Sequence, residues 1–380
     1  MEWIFWLSLA LLLYIYLGYP LLLAILARSA RPVALREDHR PRVSILIPAY
    51  NEAAVIEQTL HNKLDLDYPA DRLEILVVSD AADDGTDAIV ESIAAGSRVR
   101  LHLFRQSSRQ GKTAGLNRLV DAARGEVVAF SDANSIWAQD ALAKLVRNFA
   151  DPTVGYVSGR MLYTHPDGSL VGDGSSAFMR YENWLWRQET AVGSVVGVDG
   201  GIDAMRRDLY QPLAANQLPD FVQPLKVVEA GYRVIHEPDA VLREPALDDS
   251  GSEFGMRVRV TLRALHALRD MAHLMNPLAR PLFALQLISH KLLRYLAFLP
   301  LLAALLSNLV LLADGGIYLL AAAAQIGFYG VALQAHGSRG PLPRWRMVPF
   351  YFTLLNLACA RAAYAYLRGE QRVTWTPREG

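Results

Sequence analysis

The sequence predicts an α/β protein with a mainly parallel sheet, flanked at both ends by membrane helices. Short apolar runs alternate with segments of helical spacing between residues 43 and 235, which is the order that produces βαβ units and a parallel sheet. Hydrophobic residues make up 52% of the 380 residues, and the excess lies at the two ends. Lys+Arg and Asp+Glu both number 38, so the net charge predicts no nucleic-acid partner.

The N-terminal segment, residues 1–27, is predicted to be a transmembrane helix. It is almost wholly apolar and long enough to cross a bilayer. Its early side-chain charge is Glu2, whereas a cleaved signal peptide would begin with basic residues. Arg28 and Arg31 follow the apolar run, so the positive-inside rule places the next residues in the cytoplasm. Residues 28–41 are polar and contain prolines, which predicts a linker.

Residues 42–250 are predicted to form one globular domain. Its predicted strands are Val43–Pro48, Leu73–Ser79, Val99–Phe104, Val127–Asp132, Gly155–Tyr163 and Tyr232–Ile235. Its predicted helices are Glu52–Lys63, Thr86–Ala94, Thr113–Ala123, Asp140–Phe149, Ser176–Thr190 and Asp220–Ala230. Most of these strands are short apolar runs, as expected for a sheet that is covered by helices on both faces.

The chain is predicted to return to the membrane after residue 250. Residues 251–296 interleave arginines with apolar residues, a pattern typical of amphipathic helices on an anionic membrane surface. Residues 297–380 form the C-terminal membrane region and tail. Two spans are predicted there, Tyr295–Ala313 and Gly316–Ala335.

A third C-terminal segment, Met347–Leu367, is ambiguous. Asn356 and Arg361 interrupt it, which favours an interfacial or re-entrant segment over a true span. The arginines around the C-terminal segments agree with one span before the globular domain and two after it. The sequence therefore predicts a multi-pass protein of the inner (plasma) membrane with its globular domain in the cytoplasm.

Polar residues follow the predicted strands at their carboxyl ends. Asp80 follows the second strand, and Asp132 and Asn134 follow the fourth. Parallel strands end at one edge of the sheet, where ligands bind in open α/β folds, so we expect these side chains to converge. Oxygen ligands suit a hard divalent cation, and Lys112 at a helix start suits an anion. Each signal alone is as typical of a polar turn or a helix cap, but together they predict a site for a nucleotide diphosphate with a metal.

Five short motifs resemble those of a known family. In chain order they are IPAYNE, VVSDAADDGT, GKTAGLN, FSDANS and LPDFVQPL. This order between membrane segments resembles the membrane-bound family 2 glycosyltransferases, which include the cellulose, chitin and hyaluronan synthases. The resemblance covers the chain from about Arg42 to about Leu268, and it implies a Rossmann-like GT-A fold for the globular domain.

The resemblance also implies roles for individual residues. It implies that the nucleotide sugar is bound by Ala49, Tyr50, Glu52, Asp80, Lys112 and Asp132. Asp132 and Asn134 occupy the place of the family's DxD motif and would bind Mg²⁺ or Mn²⁺. Asp220 matches the catalytic base, although Pro219 replaces the acid that normally precedes it. The family's QxxRW motif is absent from the sequence, and Arg257 and Arg259, near its expected position, are further candidates for binding the donor diphosphate.

The resemblance implies an inverting transferase with a nucleotide-sugar donor, for which we expect UDP as the nucleotide. Asp220 would deprotonate an acceptor hydroxyl, and the metal would stabilise the leaving diphosphate. The expected acceptor is a growing surface polysaccharide or a lipid-linked glycan. The other expected partners are membrane lipid and subunits for export. Asp199 and Asp203, beside Gly200 and Gly201, are further candidates for substrate contact.

Two alternatives stay open at this point. The missing QxxRW motif and the small number of spans favour an enzyme that adds one sugar to a lipid. Asn134 and Pro219, which replace family acids, permit a non-catalytic membrane scaffold that merely holds a nucleotide. Product size separates the first alternative from polymer synthesis, and hydrolysis of a nucleotide sugar would exclude the second.

Overall fold

The structure is a computed structural model that describes residues 1–29, 32–164, 174–245, 250–336 and 343–371. The chain divides into two compact units. The first, called the sheet unit here, comprises Ala30–Leu170 and Glu189–Ala246. The second, called the helical unit, comprises Met1–Ser29, Val171–Gln188 and Leu247–Gln371.

The sheet unit is built on a mixed sheet, which has eight strands in the described residues. These are β1 (Val43–Ala49), β2 (Leu73–Ser79), β3 (Arg100–Arg105), β4 (Val127–Phe130), β5 (Ile136–Trp137), β6 (Val154–Thr164), β7 (Asp203–Arg206) and β8 (Arg233–Pro245). Their spatial order is β3-β2-β1-β4-β7-β6-β8-β5. The first four strands pair in parallel, as predicted, because helices return the chain between them.

The sheet is less uniformly parallel than the sequence predicts. No local pattern predicts the four-residue strand β7, yet it lies in the middle of the sheet, antiparallel to both β4 and β6. Strand β8 continues to Pro245, well past the predicted end at Ile235, because it pairs along β6. The reason for both differences is that strand formation depends on cross-strand neighbours, which local sequence does not reveal.

The described helices, in chain order, complete the fold. They are α1 (Glu2–Leu13), α2 (Tyr19–Leu26), α3 (Ile56–Leu64), α4 (Thr86–Gly96), α5 (Lys112–Ala122), α6 (Ala141–Val146), α7 (Gly174–Val192), α8 (Pro219–Glu229), α9 (Ser250–Asp270), α10 (Pro281–Leu287), α11 (Leu293–Tyr295), α12 (Phe298–Leu311), α13 (Ile317–His336) and α14 (Arg344–Leu367). Helices α3 to α6 and α8 belong to the sheet unit.

A large buried core of the sheet unit lies between the strands and helices α3, α4 and α6. Ile45 and Ile47 of β1 share one face of the sheet because side chains alternate along a strand. They belong to the same buried cluster as Ile75 of β2 and as Ile56 and Leu60 of α3, all 0% exposed. Full burial of each such side chain contributes about 1.5–3 kcal/mol relative to exposure. This core holds the ends of β1, β2 and β4 in fixed relative positions.

The helical unit contains helices long and apolar enough to cross a membrane. Residues Glu2–Ser29 form one helical stretch of 28 residues, interrupted by a π-helical turn at Tyr14–Gly18. Helix α13 is a second candidate span of 20 residues. Both agree with the predicted spans by length and composition.

The predicted span Tyr295–Ala313 is wrong in its boundaries. The helix begins at Phe298, and it reaches spanning length only together with Pro281–Tyr295, from which it is bent by 56°. Pro300 lies in its first turn, where a proline is tolerated, whereas a proline in a helix interior removes a hydrogen bond. This explains why the helix restarts just before Pro300.

Helices α9 and α14 of the helical unit pack against each other through a small apolar cluster. Val258 and Leu262 of α9 form a buried cluster with Ala358 and Ala362 of α14. Helix α14 covers the ambiguous segment Met347–Leu367. It is not among the described helices that are apolar enough to cross a membrane, and its place in the membrane stays a prediction.

Candidate active site

The site is built at the carboxyl edge of the parallel strands. Asp132 follows β4, Lys112 begins α5, and Asp220 lies in the first turn of α8. The Lys112 Nζ lies 2.7 Å from Asp132 Oδ1 and 3.7 Å from Asp220 Oδ2. The structure therefore brings three predicted site residues, from three distant stretches of the chain, into one charged cluster.

The electrostatics of this cluster favour a charged lysine. Burial by itself would lower the pKa of Lys112, but the carboxylates of Asp132 and Asp220 outweigh burial and raise it above its usual value. The Lys112 side chain is 22% exposed and that of Asp132 is 40% exposed. A fixed ammonium thus lies beside an accessible carboxylate, an arrangement that can receive an anionic ligand together with a cation.

A third acid, Asp203, lies beneath this cluster at the start of β7, opposite Phe130 of β4. It is 1% exposed, and the Tyr156 hydroxyl donates a hydrogen bond to its Oδ2. Among the described residues, its Oδ1 has no hydrogen-bond partner. Burial, and then the carboxylate of Asp220, raise the pKa of Asp203 well above its usual value. Sequence reasoning singled out Asp203 only for its position beside two glycines.

Those glycines bring the backbone close to both carboxylates. A Cβ on Gly200 would lie 2.6 Å from Asp220 Oδ2, and one on Gly201 would lie 3.4 Å from Asp132 Oδ2. Gly201 has a φ of +90°, a conformation that side-chain-bearing residues rarely adopt. The turn therefore needs glycine for space at Gly200 and for backbone conformation at Gly201.

Asp80 lies at the predicted edge, but its carboxylate is already engaged. It is 1% exposed and accepts hydrogen bonds from Gln106 Nε2 at 3.0 Å and from the backbone N–H groups of Gln110 at 2.7 Å and Gly111 at 3.0 Å. These bonds hold the loop that precedes Lys112. Asp80 thus positions Lys112, and its contact with the nucleoside stays a prediction.

The segment after β1 contributes the other predicted nucleotide-binding residues. Ala49 ends β1 and is 0% exposed. The Arg109 guanidinium lies 3.8 Å from the centroid of the Tyr50 ring, close enough for a cation–π contact. The Glu52 backbone N–H donates to Thr86 Oγ1 at 2.9 Å. The sequence analysis did not select Arg109, which lies three residues before Lys112.

Two hydrogen bonds from α5 hold the loop that leads to Asp220. Thr113 Oγ1 donates to the Gln217 carbonyl at 3.0 Å, and Asn117 Nδ2 donates to the Leu213 carbonyl at 2.8 Å. Pro219 occupies the first position of α8, where a helix does not need the missing N–H. The proline that replaces a family acid therefore begins the helix without disturbing Asp220.

Arg257 and Arg259 lie on α9 in the helical unit. There, Arg257 Nε donates to Glu253 at 2.8 Å and Arg257 Nη2 donates to the Tyr351 hydroxyl at 2.8 Å. Their contact with the donor diphosphate stays a prediction.

The predicted metal ligands, Asp132 and Asn134, lie in the turn after β4. Among the described residues, no group of three or more His, Cys, Asp or Glu side chains is arranged to hold a metal ion. Mg²⁺ and Mn²⁺ accept carboxylate and amide oxygens, and Mg²⁺ commonly takes only one or two protein ligands beside substrate phosphates and water. The donor set therefore fits a cation that binds together with a diphosphate rather than a preformed protein cage.

The sheet unit, with its Rossmann-like mixed sheet and with acids and a lysine at the carboxyl edge, has the GT-A fold of glycosyltransferase domains. Residues 44–210 match the family model described as Glycosyl transferase family 2. This region of the chain is therefore similar to the family 2 glycosyltransferases, as the resemblance of its motifs predicts.

Two kinds of synthase are among the similar proteins. The beta-monoglucosyldiacylglycerol synthase of Trichormus variabilis is 30% identical over 50% of this chain and 41% of its own length. The poly-beta-1,6-N-acetyl-D-glucosamine synthase of Staphylococcus aureus is 26% identical over 65% of this chain and 61% of its own length. The matches thus span less than two thirds of either relative.

One solved structure is similar over nearly the whole chain. It is the mannosyltransferase PcManGT from Pyrobaculum calidifontis in complex with GDP-Man and Mn²⁺. It is 26% identical, with a TM-score of 0.75, over 97% of this chain and 99% of its own. This likeness supports the GT-A fold predicted from the sequence.

Proposed function

We propose that this protein is a membrane-bound, metal-dependent, inverting glycosyltransferase that uses a nucleotide sugar. The observation that carries this proposal is the cluster in which Lys112 Nζ lies 2.7 Å from Asp132 and 3.7 Å from Asp220. This cluster supplies a base, a cation for the leaving diphosphate and a metal-binding oxygen. The relatives named above, all sugar transferases or synthases, support the same class of reaction.

The reaction follows from these positions. Asp220 accepts the proton of the acceptor hydroxyl while the acceptor oxygen bonds to the anomeric carbon. The bond between that carbon and the diphosphate breaks from the opposite side, so the anomeric configuration inverts and no carboxylate nucleophile is required. Lys112 balances the charge that develops on the leaving diphosphate. A divalent cation at Asp132 and Asn134, when bound, would add to this stabilisation as a Lewis acid.

Two kinds of acceptor are supported. The predicted acceptor is a growing surface polysaccharide or a lipid-linked glycan, and the similar poly-beta-1,6-N-acetyl-D-glucosamine synthases support a glycan. The similar beta-monoglucosyldiacylglycerol synthases support the alternative of one sugar added to a lipid. The exposed apolar side chains of the candidate spans, such as Leu21 and Leu320 at 63% and 68% exposed, favour an acceptor in or near a bilayer.

The identity of the donor nucleotide sugar is tested with a panel of UDP and GDP sugars. The family resemblance implies UDP, whereas the similar solved structure contains GDP-Man. The test is to incubate the purified full chain in lipid nanodiscs with UDP-glucose, UDP-N-acetylglucosamine, UDP-galactose and GDP-mannose, with Mn²⁺, and to measure released nucleoside diphosphate. We expect release from one donor, and less with Asp220→Asn than with wild type.

The outcomes separate the hypotheses. Mass spectrometry of the product distinguishes one added sugar from a polymer. Nucleotide binding without release from any donor, with lipid and glycan acceptors supplied, would favour the non-catalytic scaffold and contradict the proposal.

A further inference from the structure

A lysine is fully buried close to the site but is not part of the charged cluster. Lys63, near the end of α3, is 0% exposed. Among the described residues, no carboxylate forms an ion pair with it, and burial lowers the pKa of its ammonium well below the usual value. Lysine is almost never fully buried in this way, so its interactions call for an explanation.

In the described part of the chain, the Lys63 ammonium contacts its neighbour Asn62 and the short segment that follows Asn134. Its Nζ donates to the Ser135 carbonyl at 2.6 Å and to Asn62 Oδ1 at 2.9 Å. It also lies 4.7 Å from the centroid of the Trp137 ring. An ammonium has three N–H groups, and these three partners match that number. Two of them, Ser135 and Trp137, lie within three residues after Asn134.

The neighbours of Lys63 extend this support to the glycine turn. Asn62 accepts from the Trp137 backbone N–H and donates to its carbonyl, both at 2.8 Å. Trp137 Nε1 in turn donates to the Gly201 carbonyl at 2.7 Å. Gly201 lies against Asp132. The end of α3 thus fixes the segment after Asn134. Through Trp137 it also fixes the Gly200-Gly201 turn, which lies against the carboxylates of Asp220 and Asp132.

We propose that Lys63 is a positioning residue for the turn that carries Asp132 and Asn134. By binding the Ser135 carbonyl, it sets the backbone path and hence the spacing of the two oxygen ligands offered to a metal–diphosphate. The inference rests on the proposed function. An unbranched methionine would fill a similar volume without the cost of desolvating an ammonium, so packing alone does not require a lysine here.

The proposal is tested by calorimetric titration of the full chain in nanodiscs with UDP and GDP, each with and without Mn²⁺. Replacement of a residue that holds a metal ligand in place, without binding the metal itself, typically lowers metal affinity by about tenfold to a hundredfold. We therefore expect Lys63→Met to weaken Mn²⁺-dependent binding of the nucleoside diphosphate by about tenfold or more, with metal-free binding unchanged. Donor KM at limiting Mn²⁺ should rise in parallel.

Two controls separate positioning from stability. Leu60→Ala, on the same helix and also 0% exposed, removes core packing but leaves in place the two hydrogen bonds that the Lys63 ammonium donates. It should lower the unfolding temperature but leave the Mn²⁺ dependence as in wild type. Lys144→Met removes a surface lysine paired with Asp140 at 2.6 Å and should change neither property.

Other outcomes overturn the inference or its premise. If Lys63→Met shows the Mn²⁺ dependence of wild type, Lys63 has only a structural role. The same conclusion follows if Lys63→Met loses no more Mn²⁺-dependent affinity for the nucleoside diphosphate than Leu60→Ala does. Should Lys63→Met not fold, Trp137→Phe removes the bond to Gly201 and must shift the Mn²⁺ dependence in the same direction, or the inference fails. If Asp132→Asn retains Mn²⁺-dependent binding, the metal site in the proposed function is wrong, and the role of Lys63 is withdrawn with it.

Discussion

A single methyl group at Gly200 should disable the site without unfolding the protein. A Cβ at this position would lie 2.6 Å from Asp220 Oδ2 and 2.8 Å from its Cγ, whereas ordinary contact begins at 3.4 Å. The carboxylate must therefore move by about 0.8 Å. Displacement of a reacting group by about 1 Å costs about a hundredfold in rate, or about 2.7 kcal/mol in activation free energy. Gly200 is not among the described glycines with positive φ, so alanine adds no backbone strain.

The assay for Gly200→Ala is steady-state release of nucleoside diphosphate, with kcat and donor KM measured separately and thermal unfolding recorded alongside. We expect kcat to fall about a hundredfold because the carboxylate of Asp220 is displaced. Donor KM and the unfolding temperature should stay close to wild type, because rotation of the Asp220 side chain relieves the clash. Gly96→Ala is the matched control, since a Cβ there meets nothing within 4 Å. A Gly200→Ala enzyme with kcat within twofold of wild type would refute the placement of Asp220 as the base.

Three further predictions concern the acids of the site. Asp220→Asn should bind the nucleotide sugar nearly as wild type does in a calorimetric titration, but lose transfer by about a hundredfold to ten-thousandfold; normal turnover would show that another group is the base. EDTA should abolish activity and Mg²⁺ or Mn²⁺ should restore it, and full activity without metal would refute the role of Asp132. Burial and Asp220 raise the pKa of Asp203 in the folded state. The folded protein therefore loses stability relative to the unfolded chain once the pH exceeds about 3.9, the pKa of an aspartate in the unfolded chain. Asp203→Asn should therefore unfold at a higher temperature than wild type at pH 7, with the difference closing below about pH 4; a pH-independent difference in thermal melts would contradict this.

Much of the fold was predictable because its signals are local. The strand Leu73–Ser79 and the apolar segment 1–27 are each visible as a pattern of neighbouring residues. The structure places them in strand β2 and in the helical stretch Glu2–Ser29. The convergence of Asp132 and Lys112 was also predictable, because parallel strands end at one edge of a sheet. Their contact at 2.7 Å shows that this edge does bring the two side chains together.

The sequence alone determined the order of most strands and helices, the apolar terminal segments and the family that residues 44–210 resemble. Only the tertiary structure decided that Asp203 lies beside the site on an unpredicted strand, that Asp80 is engaged by the loop before Lys112, and that a buried Lys63 donates to the Ser135 carbonyl. The physical reason is that periodicity and turn residues act over a few neighbours along the chain. Strand pairing and burial instead depend on residues that are distant in sequence and meet only when the sheet has formed.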